Sequence, residues 1–144
     1  MELMAGDRSF LEDFESGRLP KEAFRHRDHV RLAFLCLRLG SEAEAAARVE
    51  RGIRAFARRH GVEQLYHATI TLAWLRLVAD AVVRAGRPAR FDVLAAACPE
   101  LLDKGLITRY YSAELLAGDR TKRQFVEPDL APLPSLQPPP PPRP

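Results

Sequence analysis

Cysteine is scarce in this sequence, with only Cys36 and Cys98 among 144 residues. A fold held together by disulfides needs more cysteines than this, and these two lack the C-x-x-C spacing of a zinc knuckle or redox centre. Each stands in an apolar stretch, where an unpaired cysteine behaves as a small hydrophobic residue. We therefore expect two reduced thiols in the core, which excludes a disulfide-rich secreted fold.

Long hydrophobic runs are absent as well. A helix that spans a membrane needs about 18 consecutive apolar residues, and no segment of the chain approaches this length. The first seven residues have neither the basic start nor the apolar stretch of a secretory signal. We therefore expect a soluble, cytoplasmic protein that has no membrane partner.

No charge of one sign dominates. The chain has 22 Lys and Arg residues against 19 Asp and Glu residues, which gives a net charge of +3. A protein that binds nucleic acid usually concentrates its basic residues on one face or in one tail, whereas acidic residues interrupt nearly every basic stretch here. We therefore expect no nucleic-acid partner.

Two catalytic signatures are also missing. The sequence contains no G-x-S-x-G motif, which marks the nucleophilic serine of many hydrolases, and no glycine-rich loop that could cradle a phosphate. The serines occupy positions that are typical of helix caps or loops. Chemistry based on a serine or cysteine nucleophile is therefore not expected.

What the sequence does have is a helical pattern. Hydrophobic residues make up 47% of a chain that is long enough for one compact core. Glycine and proline interrupt it at helical intervals, and no segment alternates between apolar and polar residues. We expect an all-α fold, a single compact bundle of five to six helices. The six predicted helices cover residues 9–16, 28–39, 41–60, 62–85, 91–104 and 112–125.

Individual residues indicate where these helices begin and break. Ser41 and Glu44 have the spacing of a capping box at the start of the third helix. Pro99 should split or kink the fifth helix, Ser112 should cap the sixth, and Gly118 should weaken its middle. The second helix is apolar almost all round, so it should lie at the centre of the bundle.

The C-terminal part of the chain differs in composition. From Pro128 onward it holds nine of the twelve prolines. Such segments adopt extended polyproline conformations and do not build a core. We therefore expect residues 1–130 to form the helical domain and residues 131–144 to form a disordered polyproline tail.

Four histidines should lie at one end of the bundle. The second, third and fourth predicted helices are joined by only one or two residues, so neighbouring helices should run antiparallel. His26 and His29 stand at the start of the second helix. His60 ends the third helix, and His67 lies in the second turn of the fourth. At ~100° per residue all four rings point inward, and Glu63 shares the helix face of His67.

Inward-facing imidazoles need hydrogen-bond partners, because burying an unpaired polar group costs roughly 1 to 3 kcal/mol. A shared divalent transition metal (Zn, Fe, Cu or Ni) would satisfy them. The candidate ligands are His26, His29, His60 and His67. A shared water, a bound ligand or a purely structural hydrogen-bonded cluster is the alternative. On the outer side of the fourth helix, Thr69 should have no chemical role.

Candidate catalytic residues surround these histidines. Glu63 would serve as a further metal ligand or as the general base, and Tyr66 or Tyr111 would be the proton donor. Without a metal, His67 would act as the acid or base, tuned by Asp28 or Glu63. Asp28 could equally cap the second helix.

Several segments together form a recognisable set. They are residues 17–20 (GRLP), 24–34 (FRHRDHVRLAF), 66–71 (YHATIT) with Trp74, 110–112 (YYS) and 125–129 (FVEPD). This set resembles a family of short bacterial proteins that usually have no assigned function, and the resemblance covers about residues 8–130. Those proteins commonly have Glu where this chain has Ala68, so any chemistry of that Glu would be lost here or moved to Glu63. The resemblance implies no activity.

The sequence therefore predicts an enzyme that acts on a small-molecule substrate in a histidine-rich pocket, by hydrolysis, isomerisation or oxygen-dependent chemistry. The alternative is a non-catalytic binding or adaptor module whose histidines are structural and whose Pro-rich tail engages a partner. The oligomeric state stays open, with a homodimer as one option.

Overall fold

A computed structural model describes residues 3–134, and within that range every regular element is helical. The prediction of an all-α fold is confirmed, and the described chain contains no strand. The α-helices are α1 (Ala5–Ser16), α2 (His26–Leu39), α3 (Glu42–Arg59), α4 (Ala68–Arg84), α5 (Phe91–Ala97), α6 (Ala113–Leu116) and α7 (Asp119–Arg123). The 3₁₀ helices are Lys21–Ala23, Glu63–Leu65, Pro99–Leu102 and Lys104–Arg109. None of these helices is both long and apolar enough to cross a membrane.

The centre of the bundle is α2, as its apolar sequence predicts. It packs against α1, α3, α4 and α5. Phe34 and Leu35 in its middle are completely buried. A helix with neighbours on several sides needs apolar residues nearly all round its surface, which explains the composition of this segment.

Both cysteines are buried, unpaired thiols, as expected. Cys36 lies in α2, and Cys98 follows the last residue of α5. Burial raises the pKa of the Cys36 thiol to about 12, so this side chain stays protonated and unreactive at neutral pH.

A partly buried ion pair connects the first helix to the rest of the bundle. The carboxylate of Asp7 in α1 lies 2.7 Å from the guanidinium of Arg31 in α2. Its other oxygen accepts a hydrogen bond of 3.3 Å from the backbone N–H of Phe91, the first residue of α5. One carboxylate thereby joins three helices.

Several helix boundaries follow the sequence signals. Ser41 and Glu44 form the expected capping box, in which the Ser41 hydroxyl accepts from the Glu44 N–H at 3.1 Å and the Glu44 carboxylate accepts from the Ser41 N–H at 2.8 Å. The fifth predicted helix breaks before Pro99. The sixth is capped by Ser112 and divided at Gly118 into α6 and α7.

The start of the fourth helix differs from the prediction. In place of one helix over residues 62–85, the chain forms the 3₁₀ helix Glu63–Leu65, passes through extended backbone at Tyr66 and His67, and begins α4 at Ala68. His67 is the N-cap, because its Nδ1 accepts the Ile70 N–H at 3.1 Å. Glu63 and His67 therefore do not share one helix face.

The segment after α7 folds back across α4, where Thr69 holds it. Thr69 is completely buried, so the expectation that it faces outward is wrong. Its hydroxyl donates to the Gln124 carbonyl at 2.8 Å and accepts from the Val126 N–H at 3.0 Å. Further along, Leu133 packs partly against the core. The rest of the predicted polyproline tail, residues 135–144, lies outside the described residues.

Candidate functional site

A cleft of about 430 Å³ lies between the first turns of α2 and α4, and residues of α3 and of the 3₁₀ helix Lys104–Arg109 complete its walls. Three of the four histidines line it, namely His26, His29 and His67. We call it the histidine cleft. The late start of α4 contributes to it, because the extended backbone before Ala68 places His67 at the helix terminus.

The rest of the cleft is mainly apolar, with two cations at its surface. Ile53, Ile70 and Trp74 are among the apolar lining residues. The charged lining residues are Arg25 and Lys104, and both side chains are exposed. No acidic residue of the described chain lines the cleft, so its positive charge is not neutralised from within.

The hydrogen bonds of the His67 ring assign its tautomer. Its Nδ1 accepts the Ile70 N–H, and its Nε2 lies 2.8 Å from the carbonyl oxygen of Leu116. A carbonyl only accepts, so Nε2 must carry the hydrogen and Nδ1 must carry the lone pair. Nδ1 therefore caps α4 and Nε2 joins its start to α6, and neither nitrogen is left for a substrate or a metal.

His26 uses one nitrogen in the same way. Its Nε2 lies 2.9 Å from the carbonyl oxygen of Leu101 and must donate to it, which leaves Nδ1 as the acceptor nitrogen of the neutral ring. The ring packs edge-on against Trp74, with 4.5 Å between the ring centroids. This histidine is positioned by protein contacts but keeps one nitrogen that is not used within residues 3–134.

His29 is the least constrained of the three. Its side chain is exposed to solvent in the cleft and packs against Phe24, with 4.1 Å between the ring centroids. Protein surrounds the ring on the other sides. This desolvation, together with the neighbouring His26, lowers its pKa from 6.5 to about 4, against the opposing charge of Asp28. No side chain or backbone group of the described chain bonds to its ring nitrogens.

His60 does not join the other three. It is the residue after α3, and its ring packs against Phe56 with 4.4 Å between the ring centroids. Its Nε2 is buried and has no hydrogen-bond partner among the described residues. His60 was expected at the same end of the bundle as the other three. Its ring packs back along α3 and does not line the cleft.

The histidines do not form the shared metal-ligand set that the sequence predicts. The nitrogens of His67 are already bonded, and His60 lies outside the cleft. Within residues 3–134, no group of three or more His, Cys, Asp or Glu side chains is placed to hold a metal ion. The donor set in this arrangement does not fit a four-histidine site, and a bound metal stays a prediction.

Tyr66 lines the cleft but is a weak proton donor. Its hydroxyl donates to the carboxylate of Glu50 at 2.9 Å, and the guanidinium of Arg54 lies over its ring at 4.4 Å. Burial and the hydrogen bond to Glu50 raise the pKa of Tyr66 to about 12. The phenol therefore keeps its proton at any ordinary pH.

The other predicted catalytic residues do not line the cleft. Glu63 is exposed and lies 3.5 Å from the guanidinium of Arg58. Asp28 accepts the Arg25 N–H at 2.9 Å, so it caps the start of α2. Tyr111 is completely buried and donates to the Val126 carbonyl at 2.7 Å. Burial raises its pKa to about 12.

The two charged residues of the cleft, Arg25 and Lys104, were not predicted from the sequence. Arg25 stands directly before His26 in the sequence, so the position of that histidine could have indicated it. Lys104 comes from a 3₁₀ helix far along the chain, and it is brought to the cleft only by the packing of that segment against α4. No local pattern marks it.

A second hollow of about 260 Å³ adjoins the histidine cleft. The two share the side chains Phe24, His29, Ile53, Leu65 and Tyr66. We call it the apolar hollow, because it also includes Phe56, Ala57 and Val62. His29 therefore lies in the wall that two adjacent spaces share.

Comparison with known proteins gives no assignment. No protein-family model, curated protein or solved structure matches the chain. The resemblance to short bacterial proteins therefore stays a prediction, and the function has to be inferred from the cleft itself.

Proposed function

We propose that the chain is an enzyme that transfers protons on a small molecule bound in the histidine cleft, with His29 as the acid–base group. The observation that carries this proposal is the state of the His29 ring. Solvent reaches it, its pKa is lowered to about 4, and the described chain leaves its nitrogens unbonded. At neutral pH such a ring is uncharged and can accept a proton.

This proposal moves the acid–base role from His67 to His29. Protonating Nδ1 of His67 would remove the acceptor of the Ile70 N–H and so break the N-cap of α4. A proton on His29 breaks no hydrogen bond within residues 3–134. The ring that is free to change its protonation state is the better candidate for catalysis.

The low pKa of His29 favours one kind of reaction. A pKa of about 4 lies well below neutral pH, where an acid–base group works best, so His29 is a weak base that quickly returns a proton it accepts. This suits an isomerisation, in which the proton goes back to the substrate, or a hydrolysis, in which it goes to the leaving group. Arg25 and Lys104 would stabilise negative charge that develops in the transition state.

A metal-dependent version of the enzyme has a separate test. The candidate ligands that keep an unbonded nitrogen are His29 and His26, which have the i, i+3 spacing. Metal analysis of protein purified without a His tag, followed by assay in EDTA, separates the two versions. Stoichiometric Zn, Fe, Cu or Ni that is lost with activity would support the metal-dependent enzyme. Activity that survives EDTA supports the metal-free one.

A second candidate function is binding without turnover. The hydrogen bonds of His26 and His67 to the carbonyl groups of Leu101 and Leu116 favour it, because they show two of the histidines in structural roles. In that case the cleft would hold a ligand and no histidine would be needed for chemistry.

The test is a substrate screen with the purified full-length chain against small esters, lactones and keto–enol substrates. We expect the His29→Gln variant to lose roughly 10²–10⁴-fold in turnover, the usual contribution of an acid–base group. His60→Gln is the matched control outside the cleft and should keep the wild-type rate. Circular dichroism of both variants excludes unfolding as the cause.

Full turnover in a folded His29→Gln variant would contradict the proposal. Binding of small molecules without turnover of any of them would favour the non-catalytic candidate.

A further inference from the structure

We infer that the ligand of the histidine cleft is a small amphipathic carboxylate, whose anionic end lies beside Arg25 and Lys104 and whose apolar chain extends into the apolar hollow. This inference rests on the proposed function only in taking the cleft as the ligand site. It adds the substrate class, which neither the histidines nor the fold specify.

The charge of the cleft selects the anionic end. Arg25 and Lys104 are its charged lining residues, and neither forms an ion pair with an acidic residue of the described chain. Two cations that form no ion pair, in a cleft that no acidic side chain of the described chain lines, attract an anion and repel a cation. This charge attracts small anions in general, and a carboxylate is the small anion that commonly carries an unbranched apolar chain.

The apolar hollow indicates that the other end of the ligand is apolar. Its walls are aliphatic or aromatic apart from Lys21 and His29, and Phe24, Ile53 and Leu65 continue from it into the histidine cleft. Leu65 is 68% exposed, the largest value for any large apolar side chain in the described part of the molecule. An apolar chain that occupies both spaces would cover this side chain and gain free energy from its burial.

The position of His29 connects the inference to the chemistry. Because His29 lines both spaces, a ligand that occupies both would lie beside its ring. The combined space also lies in the range usual for small-molecule sites, about 300–1,000 Å³. A ligand with an anion at one end and an apolar chain at the other is the chemistry that matches both parts.

The test is a binding series with the full-length chain, followed by the fluorescence of Trp74, which is the only tryptophan of the sequence and lines the cleft. The probes are acetate, butanoate and octanoate at concentrations below micelle formation, with octylammonium as the cationic control. We expect affinity to rise about fourfold for each added methylene that is buried. Octanoate should bind at least tenfold more tightly than octylammonium.

Variants of the chain test the two ends separately. Lys104→Gln and Arg25→Gln should each weaken octanoate binding about tenfold, the effect of losing one charged partner, whereas Arg109→Gln, a nearby cation outside the cleft, should not. Val62→Trp narrows the apolar hollow and should weaken octanoate binding but leave butanoate binding unchanged. Each variant is compared with wild type in thermal unfolding, so that a loss of fold is recognised.

Equal binding of octanoate and octylammonium, no dependence on chain length, or no binding of octanoate at all would overturn the inference. These outcomes are separate from failure of the proposed function. If octanoate binds as expected while a folded His29→Gln variant keeps full turnover, the ligand class stands and the catalytic role fails. If carboxylates do not bind while another substrate needs His29, the catalytic role stands and the ligand class fails.

Discussion

At the scale of single residues, three histidines in one cleft are in three different chemical situations. His67 uses both ring nitrogens in hydrogen bonds, His26 uses one, and His29 uses neither within the described chain. The residue type is the same, so the neighbours decide what each ring can do. Spacing in the sequence identifies the group, but it cannot distinguish these roles.

His67 should be important for stability. We expect His67→Ala to lower the free energy of unfolding by about 2 kcal/mol, because it removes the N-cap of α4 and the bond to Leu116. His67→Asn should lose less, since asparagine is a good N-cap. Denaturant unfolding measures both variants. Equal stability of the alanine variant and wild type would show that the cap contributes nothing.

His29 should make stability depend on pH. Its pKa is about 4 in the folded chain and about 6.5 in the unfolded chain, so the unfolded state binds the extra proton between these values. Stability should therefore fall as the pH is lowered from 6.5 to 4. The His29→Gln variant should show a flatter dependence in that window. Parallel curves for the two proteins would mean that the pKa of this ring is not lowered.

At the scale of helices, the sequence predicts where most of them lie but not where α4 begins. The capping box of Ser41 and Glu44, the break before Pro99 and the cap at Ser112 were all readable locally, because each depends on neighbours within a few residues. The periodicity of residues 62–67 continues that of α4, and histidine is not among the usual N-caps. The true start depends on Leu116, which only tertiary packing brings to the ring.

Thr69 shows the same limit for a helix face. Its partners Gln124 and Val126 come from the far end of the chain, so periodicity alone assigned it to the outside. We expect Thr69→Val to lower the free energy of unfolding by about 2 kcal/mol, because it removes two hydrogen bonds, one to the Gln124 carbonyl and one from the half-buried Val126 N–H. Thr69→Ser keeps the hydroxyl and should lose less. Hydrogen exchange at the Val126 amide should be faster only in the valine variant, and unchanged exchange would argue against this bond.

At the scale of the whole molecule, three of the histidines gather at one end because α2 and α4, which begin there, are separated by the single helix α3. The connection from α2 to α3 is short, but the one from α3 to α4 spans residues 60–67. The gathering at one end could be predicted, since antiparallel neighbours bring alternate helix ends together. The rest of the site could not, because Lys104 reaches the cleft through the packing of a 3₁₀ helix that has no sequence motif. The sequence therefore predicts where the site lies better than it predicts which residues line it.

The Asp7 carboxylate should be a global contributor to stability, because it joins α1, α2 and α5. We expect Asp7→Ala to cost about 3 kcal/mol, since it leaves the Arg31 guanidinium without its partner in a partly buried site. Asp13→Ala, which removes the exposed pair with Arg18, is the matched control and should cost less than about 1 kcal/mol. Similar losses in the two variants, measured by thermal unfolding, would contradict this difference.

The most direct test of the account is an NMR titration of the histidine rings of the full-length chain, with and without octanoate. We expect His29 to titrate near pH 4 in the free protein. A carboxylate bound in the cleft should raise this value, because a nearby negative charge favours the protonated ring. If His29 titrates near 6.5 in the free protein and octanoate does not change it, the ring is an ordinary surface histidine and the central claim is wrong.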